Sequence, residues 1–434
     1  MKKIFAIIII LYSFSASCQT LQLSLKECLR YADENNLTIQ SSALDVSNSQ
    51  IQLSQSKLLM SPTISATASQ NFGYSHNSIN GGFNLGGNYG INAGITLFNG
   101  LNTYNTIKQN QLRVSQAQWQ VEQRKNQLHI QIIQAYLTVL MNQELLTYQQ
   151  NVLTSSREQL IEGEHQYKVG QILESDFILL KSQYFTDSLN IENTQLSISN
   201  ELLTLRNLLC CNSQQTLSII TPDSRQIAQI MYIPDLQEVR SQAMAYLPEL
   251  KMKNNLVEIA NYDVKIAKSA YYPTLSLDAG INTGYNNIYS KAHGNSGNNL
   301  LDNLGESIGL NLNIPIYRQN NTRNSVRMKQ LYVNQAEISL KQTELNLQKE
   351  IEEYYLSMKK AFNQYTVSDI QQKAYQINYV TYSQKFQYGT ITAADLLQQQ
   401  SNYLNALNNY MQNKYSFLLQ KKTLEVYMGR DIEL

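Results

Sequence analysis

Residues 62–74 read PTISATASQNFGY, and residues 273–285 read PTLSLDAGINTGY. Each opens on a proline, Pro62 or Pro273, that stops a preceding helix. Alternation follows. In the first segment Ile64, Ala66, Ala68, Phe72 and Tyr74 share one face, with Gln70 interrupting it, while Thr63, Ser65, Thr67, Ser69 and Asn71 share the other. In the second, Leu275, Leu277, Ala279, Ile281 and Tyr285 alternate with Ser276, Asp278, Gly280 and Asn282. Asn88 to Phe98 and Ser307 to Tyr317 repeat the pattern, so four period-two segments of 10 to 12 residues are present. Such segments are strands with one apolar face. About 11 residues tilted by about 40° rise roughly 28 Å, the depth of a bilayer core. Tyr74, Tyr89 and Tyr285 stand at the loop-side ends of the apolar faces, where an aromatic girdle belongs.

The two quoted segments are halves of a duplication. Ser24 to Ser69 aligns without gaps on Asp235 to Gly280 at a shift of 211 residues, and from Ile95 to Cys210 the shift is 219. The eight-residue difference falls between about Tyr74 and Gly94, in a Gly/Asn/Ser-rich stretch that reads as a surface loop. Ser24-x-x-Glu27 and Asp235-x-x-Glu238 are helix-start patterns. They predict helices of about 36 residues, to Leu59 and Ala270. After the second strand of each repeat, long helical stretches run from about Thr103 to Tyr167 and from about Thr322 to Phe386, roughly 100 Å each. Gly170 and Gly389 end them, and last helices run to Leu209 and Met428. The organisation is therefore repeat 1 over 24–210, a linker over 211–234, and repeat 2 over 235–429. The fold class is mainly α with a transmembrane β-barrel, each repeat being helix, two strands, long helix, helix.

Met1-Lys2-Lys3, an apolar run from Ile4 to Phe14 and the small residues Ser15-Ala16-Ser17-Cys18 form a secretory signal peptide over 1–18. Cys18 is either removed with it or becomes the lipid-modified first residue. No later stretch is apolar enough for a spanning helix, so any membrane domain is a barrel. Charged residues make up 15% of the 434 residues and the net charge is +1, which argues against a nucleic-acid partner. Gln (46) and Asn (45) dominate instead, as suits long wet surfaces without strong charge. The four cysteines and four histidines are without metal-type spacing, and no nucleophile or phosphate motif is present, so no enzyme, metal or cofactor is expected.

Four strands cannot close a barrel, and open edges are forbidden in lipid. Closure requires other copies: a dimer supplies eight strands, a trimer twelve and a wider lumen. The small polar inward faces suit a water-filled pore.

Several further features, taken in order, carry a resemblance. Leu97-Phe98-Asn99-Gly100 and Pro315-Ile316-Tyr317 lie where strands pass into long helices. Tyr167-Lys-Val-Gly170 and Phe386-Gln-Tyr-Gly389 each have an aspartate six residues after the glycine, Asp176 and Asp395. With the signal peptide and the duplication, the chain resembles the TolC-like outer-membrane efflux protein family over nearly its whole mature length. The resemblance implies a homotrimer: a 12-stranded barrel in the outer membrane of a Gram-negative bacterium, continued by an α-helical coiled-coil tunnel in the periplasm. It implies a passive exit duct of a tripartite small-molecule or multidrug efflux system, docked to a periplasmic adaptor and an inner-membrane transporter. The alternatives are a duct for type I protein secretion and a secreted coiled-coil scaffold that transports nothing.

By resemblance, Tyr167, Gly170, Phe386 and Gly389 form the helix tips that adaptors grip. Glu174, Asp176 and Asp395 are candidates for acidic rings at the entrance gate. Thr392-x-x-Asp395 is equally a capping box, and both readings of Asp395 stand. Ile391 replaces a basic latch residue found in some members. Arg318-Gln319 stands where a glycine pair is usual, which should alter the turn there.

Overall fold

The computed structural model describes residues 21–76, 82–211, 216–222, 232–290, 294–297 and 300–434. The signal-peptide segment, Cys18 and His293 lie outside the described residues. In chain order the elements are β1 (Leu21–Leu23), α1 (Leu25–Asn35), α2 (Leu37–Leu58), β2 (Thr63–Ser75), β3 (Gly82–Phe98), α3 (Asn102–Lys168) and α4 (Glu174–Leu209). Then come β4 (Leu217–Ile219), α5 (Leu236–Tyr246), α6 (Pro248–Ser269), β5 (Thr274–Ser290), β6 (Gly294–Gly297), β7 (Gly305–Asn313), α7 (Asn321–Gln387) and α8 (Ala393–Tyr427).

The first helix of each repeat is broken rather than continuous. The Asn36 backbone is extended, and its side-chain Oδ1 accepts from Thr38 N at 2.8 Å and Ile39 N at 3.4 Å, so Asn36 ends α1 and starts α2. At the equivalent place in repeat 2, Pro248 opens α6. Proline there needs no N–H and forbids helix just before it. Both long helices have 67 residues.

The chain divides into two compact units. The first comprises residues 1–42, 121–248 and 344–434; the second comprises 43–120 and 249–343. The first unit is a helical bundle whose core includes Leu25, Ile132, Tyr136, Leu205, Phe386, Leu407 and Leu418. In it β1 pairs in parallel with β4, so part of the linker is structured. Tyr136 Oη donates to Ile220 O at 2.6 Å and ties that segment to α3.

The second unit contains the sheet and a small helical core of Ala260, Val264, Val326, Val333 and Ala336. The sheet is antiparallel, in the order β2-β3-β5, with β6 and β7 sharing the far side of β5. β3 starts at Gly82, six residues before the alternation at Asn88, because Phe83 and Leu85 continue the pattern through the glycines. β7 ends at Asn313, four residues before Tyr317, and Pro315 beyond it has no N–H to give a ladder. Repeat 2 uses the connection from β5 to β7 to form β6 on the distal end of β5. Among the described residues, β2 and β7 each pair along one side only.

The turn from strand to long helix is the same in both repeats. Gly100 and Leu101 have φ of 65° and 64°; Gln319 and Asn320 have φ of 51° and 60°. Asn105 N bonds Leu101 O and Asn324 N bonds Asn320 O, both at 2.9 Å. The expected change of turn at Arg318-Gln319 is absent. Gln319 takes up the left-handed conformation because the strand and helix on either side dictate it.

Candidate functional site

Two candidate sites stand out, one in each unit. The first is the sheet. Register aligns the alternating faces of all four long strands: Ala66 lies opposite Ile91, Ile91 opposite Ile281, and Ala279 opposite Ile308. One face is thus a continuous apolar surface, and it is uncovered: Ile64 is 73% exposed, Ile308 78% and Leu310 68%. A soluble protein rarely leaves such a surface bare.

Gln70, the polar interruption on this face, is satisfied from both sides. Its Nε2 lies 2.7 Å from Tyr285 Oη, and its Oε1 accepts from Tyr89 Oη at 3.1 Å. Gly87 makes the room, since a Cβ there would stand 2.6 Å from the Tyr285 ring and 2.9 Å from Gln70 Oε1. An amide on a lipid-facing surface is costly unless hydrogen bonded. The two girdle phenols supply those bonds at the depth where aromatic rings are expected. Among the described residues Glu306, opposite Ile281, is the acidic exception on the apolar face, at the start of β7.

The second site is the pair of helix ends in the helical unit. Gly170 and Gly389 have φ of 75° and 66°, and both turns close alike. Gln171 N bonds Gln166 O at 2.8 Å, and Thr390 N bonds Lys385 O at 3.1 Å. These are helix-ending turns that need the left-handed conformation, so glycine is the fitting residue. A Cβ at either glycine meets nothing within 4 Å, leaving the backbone there open to a partner. Tyr167 is exposed and stacks on Phe177, 5.5 Å between centroids. Phe386 does not present a contact surface: it is fully buried, and Gln166 Nε2 donates to its carbonyl at 3.4 Å. Also exposed at these tips are Tyr388 (83%), Leu173 (71%) and Val169, which the motif reading passed over.

The acidic candidates separate. Asp395 completes the capping box: Thr392 Oγ1 donates to Asp395 Oδ2 at 2.7 Å, and Asp395 N donates back to Thr392 Oγ1 at 3.2 Å. At the other tip Leu173 is the cap residue and offers no side-chain bond, so Glu174 and Asp176 occupy the first turn of an uncapped helix. Negative charge is favoured there by the helix dipole. Ile391 packs against the core.

Below the tips lies a buried polar cluster that the periodicity did not reveal. Asp187 is 3% exposed. It accepts from Ser156 Oγ at 2.5 Å, Gln183 Nε2 at 2.9 Å and Gln400 Nε2 at 2.7 Å. Burial raises its pKa above the ordinary carboxylate value, and the three hydrogen bonds only partly oppose this. Among the described residues, no three His, Cys, Asp or Glu side chains are placed to hold a metal ion. No helix of the described residues is long and apolar enough to cross a membrane.

A sheet with one bare apolar face, one polar face and two unpaired edges, carried by very long helices, defines a chain that contributes its part to a β-barrel channel. Residues 29–210 and 239–430 match the outer membrane efflux protein family, and the chain belongs to it. It is an outer-membrane efflux channel and not an enzyme. Solved structures share the fold. CusC superposes with a TM-score of 0.80 at 15% identity, over 96% of this chain and 95% of that one. The Campylobacter jejuni CmeC outer membrane channel gives 0.73 at 16%, over 94% and 86%. The open state of the Neisseria gonorrhoeae MtrE outer membrane channel gives 0.75 at 14%, over 97% and 94%. No curated protein sequence matches the chain.

Proposed function

We propose that three copies of this chain close a 12-stranded barrel and act as the passive exit duct of a tripartite efflux system for small molecules. A periplasmic adaptor docks at the tips around Gly170 and Gly389, and an inner-membrane transporter supplies the driving force. The carrying observation is the pair of open sheet edges on β2 and β7, which lipid does not tolerate.

A second observation supports the assembly. Exposed aliphatic residues recur every seventh position on the helices: Leu44, Ile51 and Leu58 on α2, Leu331 and Ile338 on α7, and Leu189, Leu196 and Leu203 on α4. A seven-residue apolar stripe is a coiled-coil seam awaiting a partner helix. Detergent-extracted protein, corrected for bound detergent, is expected at the mass of three mature chains. Ile51→Asp combined with Ile338→Asp should shift it to the monomer while helicity is retained. A detergent-independent monomer from the unaltered chain would overturn the barrel.

Adaptor docking has its own test. Tyr388→Asp with Leu173→Asp should leave the trimer intact and abolish efflux in cells that depend on this channel. Full efflux by that variant would move the docking site elsewhere.

A further inference from the structure

On the polar face, β3 and β5 meet in a checkerboard. Register sets Asn88 against Gly284, Gly90 against Asn282, and Asn92 against Gly280. The next pair toward the start of β5 is Gly94 with Asp278. In every pair an amide or carboxylate faces a glycine. A Cβ at Gly90 would fall 2.0 Å from Asn282 Oδ1, one at Gly284 2.6 Å from Asn88 Oδ1, and one at Gly94 3.0 Å from Asp278 Oδ1. The polar side chains therefore lie down over the opposite glycines instead of standing out from the sheet. The result is a thin, flat, hydrogen-bonding wall without charge.

Asp278 is the exception. It is the one ionisable side chain on the polar face of β2, β3, β5 and β7 among the described residues. It is exposed, lies between Gly94 on β3 and Gly309 on β7, and accepts from Ser276 Oγ at 3.3 Å. Among the described residues, no cationic side chain shares that face.

We infer that Asp278 sets the charge selectivity of the duct: three copies form an acidic ring on an otherwise uncharged barrel wall, so cationic and neutral solutes pass ahead of anionic ones. The inference rests on the trimeric barrel proposed above. Twelve strands about 4.8 Å apart and tilted about 40° give a barrel radius of roughly 12 Å. The Debye length is about 10 Å at 0.1 M salt and about 3 Å at 1 M. The ring's field therefore reaches the axis in dilute salt and is extinguished in concentrated salt. Three unit charges at that radius favour a monovalent cation over an anion about threefold at 0.1 M and about onefold at 1 M.

The test is the reversal potential of the full-length channel in a planar phosphatidylcholine bilayer under a KCl gradient centred near 0.1 M. Asp278→Asn should lower the preference for potassium over chloride about threefold from that of the unaltered channel, and Asp278→Lys about ninefold, the entrance residues Glu174, Asp176 and Asp395 being the same in all three. Asparagine already occupies the neighbouring checkerboard positions, so Asp278→Asn suits the fold, and the larger shift in the same direction with lysine is a second reading. A conducting channel whose reversal potential is the same in all three proteins overturns the role of Asp278 and leaves the duct standing. A chain that never conducts overturns both.

Discussion

Asp187→Ala is expected to lower the stability of the helical unit by about 3 kcal/mol, because it strands two buried donors and removes the partner of a third, half-buried one. Ser156 and Gln400 are 2% and 0% exposed, and with Gln183 they all donate to this carboxylate. Asp187→Asn should behave in the opposite way. Burial already disfavours the charged carboxylate, so its folded-state pKa lies above its unfolded one. Such a group stabilises the fold fully below the unfolded pKa, and that contribution is lost as pH rises through the raised value. Near neutrality the asparagine variant avoids the loss. Gln400 Oε1 is buried without a partner, so a flip of that amide lets it accept from the new side-chain NH2. Heat unfolding in detergent, followed by helical circular dichroism, checks both. Asp187→Asn should match or exceed the parent at pH 7, and its stability should change less as pH rises from the ordinary aspartate pKa. Equal midpoints for the alanine and asparagine variants would show that the cluster contributes nothing.

The second large effect is at Gly100. Its φ of 65° is left-handed, and a Cβ there would lie 2.6 Å from the Ser269 carbonyl and 2.8 Å from Tyr272 Cβ. Main-chain atoms at that distance cannot swing aside. Gly100→Ala combines the left-handed penalty with overpacking against backbone, about 3 kcal/mol in all. The matching position in repeat 2, Gln319, adopts the same region with φ of 51°. Gln319→Gly should therefore stabilise by about 0.5 kcal/mol, the relief of strain less the entropy of a freer unfolded chain. The same unfolding measurement reads both. An alanine at residue 100 that left the midpoint unchanged would mean that the turn has room for a Cβ beside Ser269 and Tyr272.

Local pattern carried much of the fold. Alternation from Ile64 to Tyr74 and from Leu275 to Tyr285 appears as β2 and β5. The stretch after each second strand, uninterrupted by proline, appears as the 67-residue helices α3 and α7. Thr392-x-x-Asp395 held the cap in plain view. Two further signals stand in the sequence. Pro248 marks the break in the first helix of repeat 2, and the seven-residue spacing of Leu44, Ile51 and Leu58 marks a seam.

Other features cannot be read from any window of the chain. Whether Phe386 is a tip contact or a core residue depends on what packs over it, and here Gln166 and its neighbours do. Gln70 looks like a fault in an apolar face until Tyr89 and Tyr285, the latter 215 residues away, close on its amide. Asp187 is an ordinary polar helix residue until Ser156 and Gln400 bury it. Asn282 lies flat only because register brings Gly90 beneath it. Sequence alone determined the membrane strands, the long helices and the duplication, because period-two and helical periodicity are properties of neighbouring residues. Tertiary structure decided which polar groups are buried, which glycines make room and which neighbours Asp278 has on the polar face, because register and burial arise from contacts between distant segments.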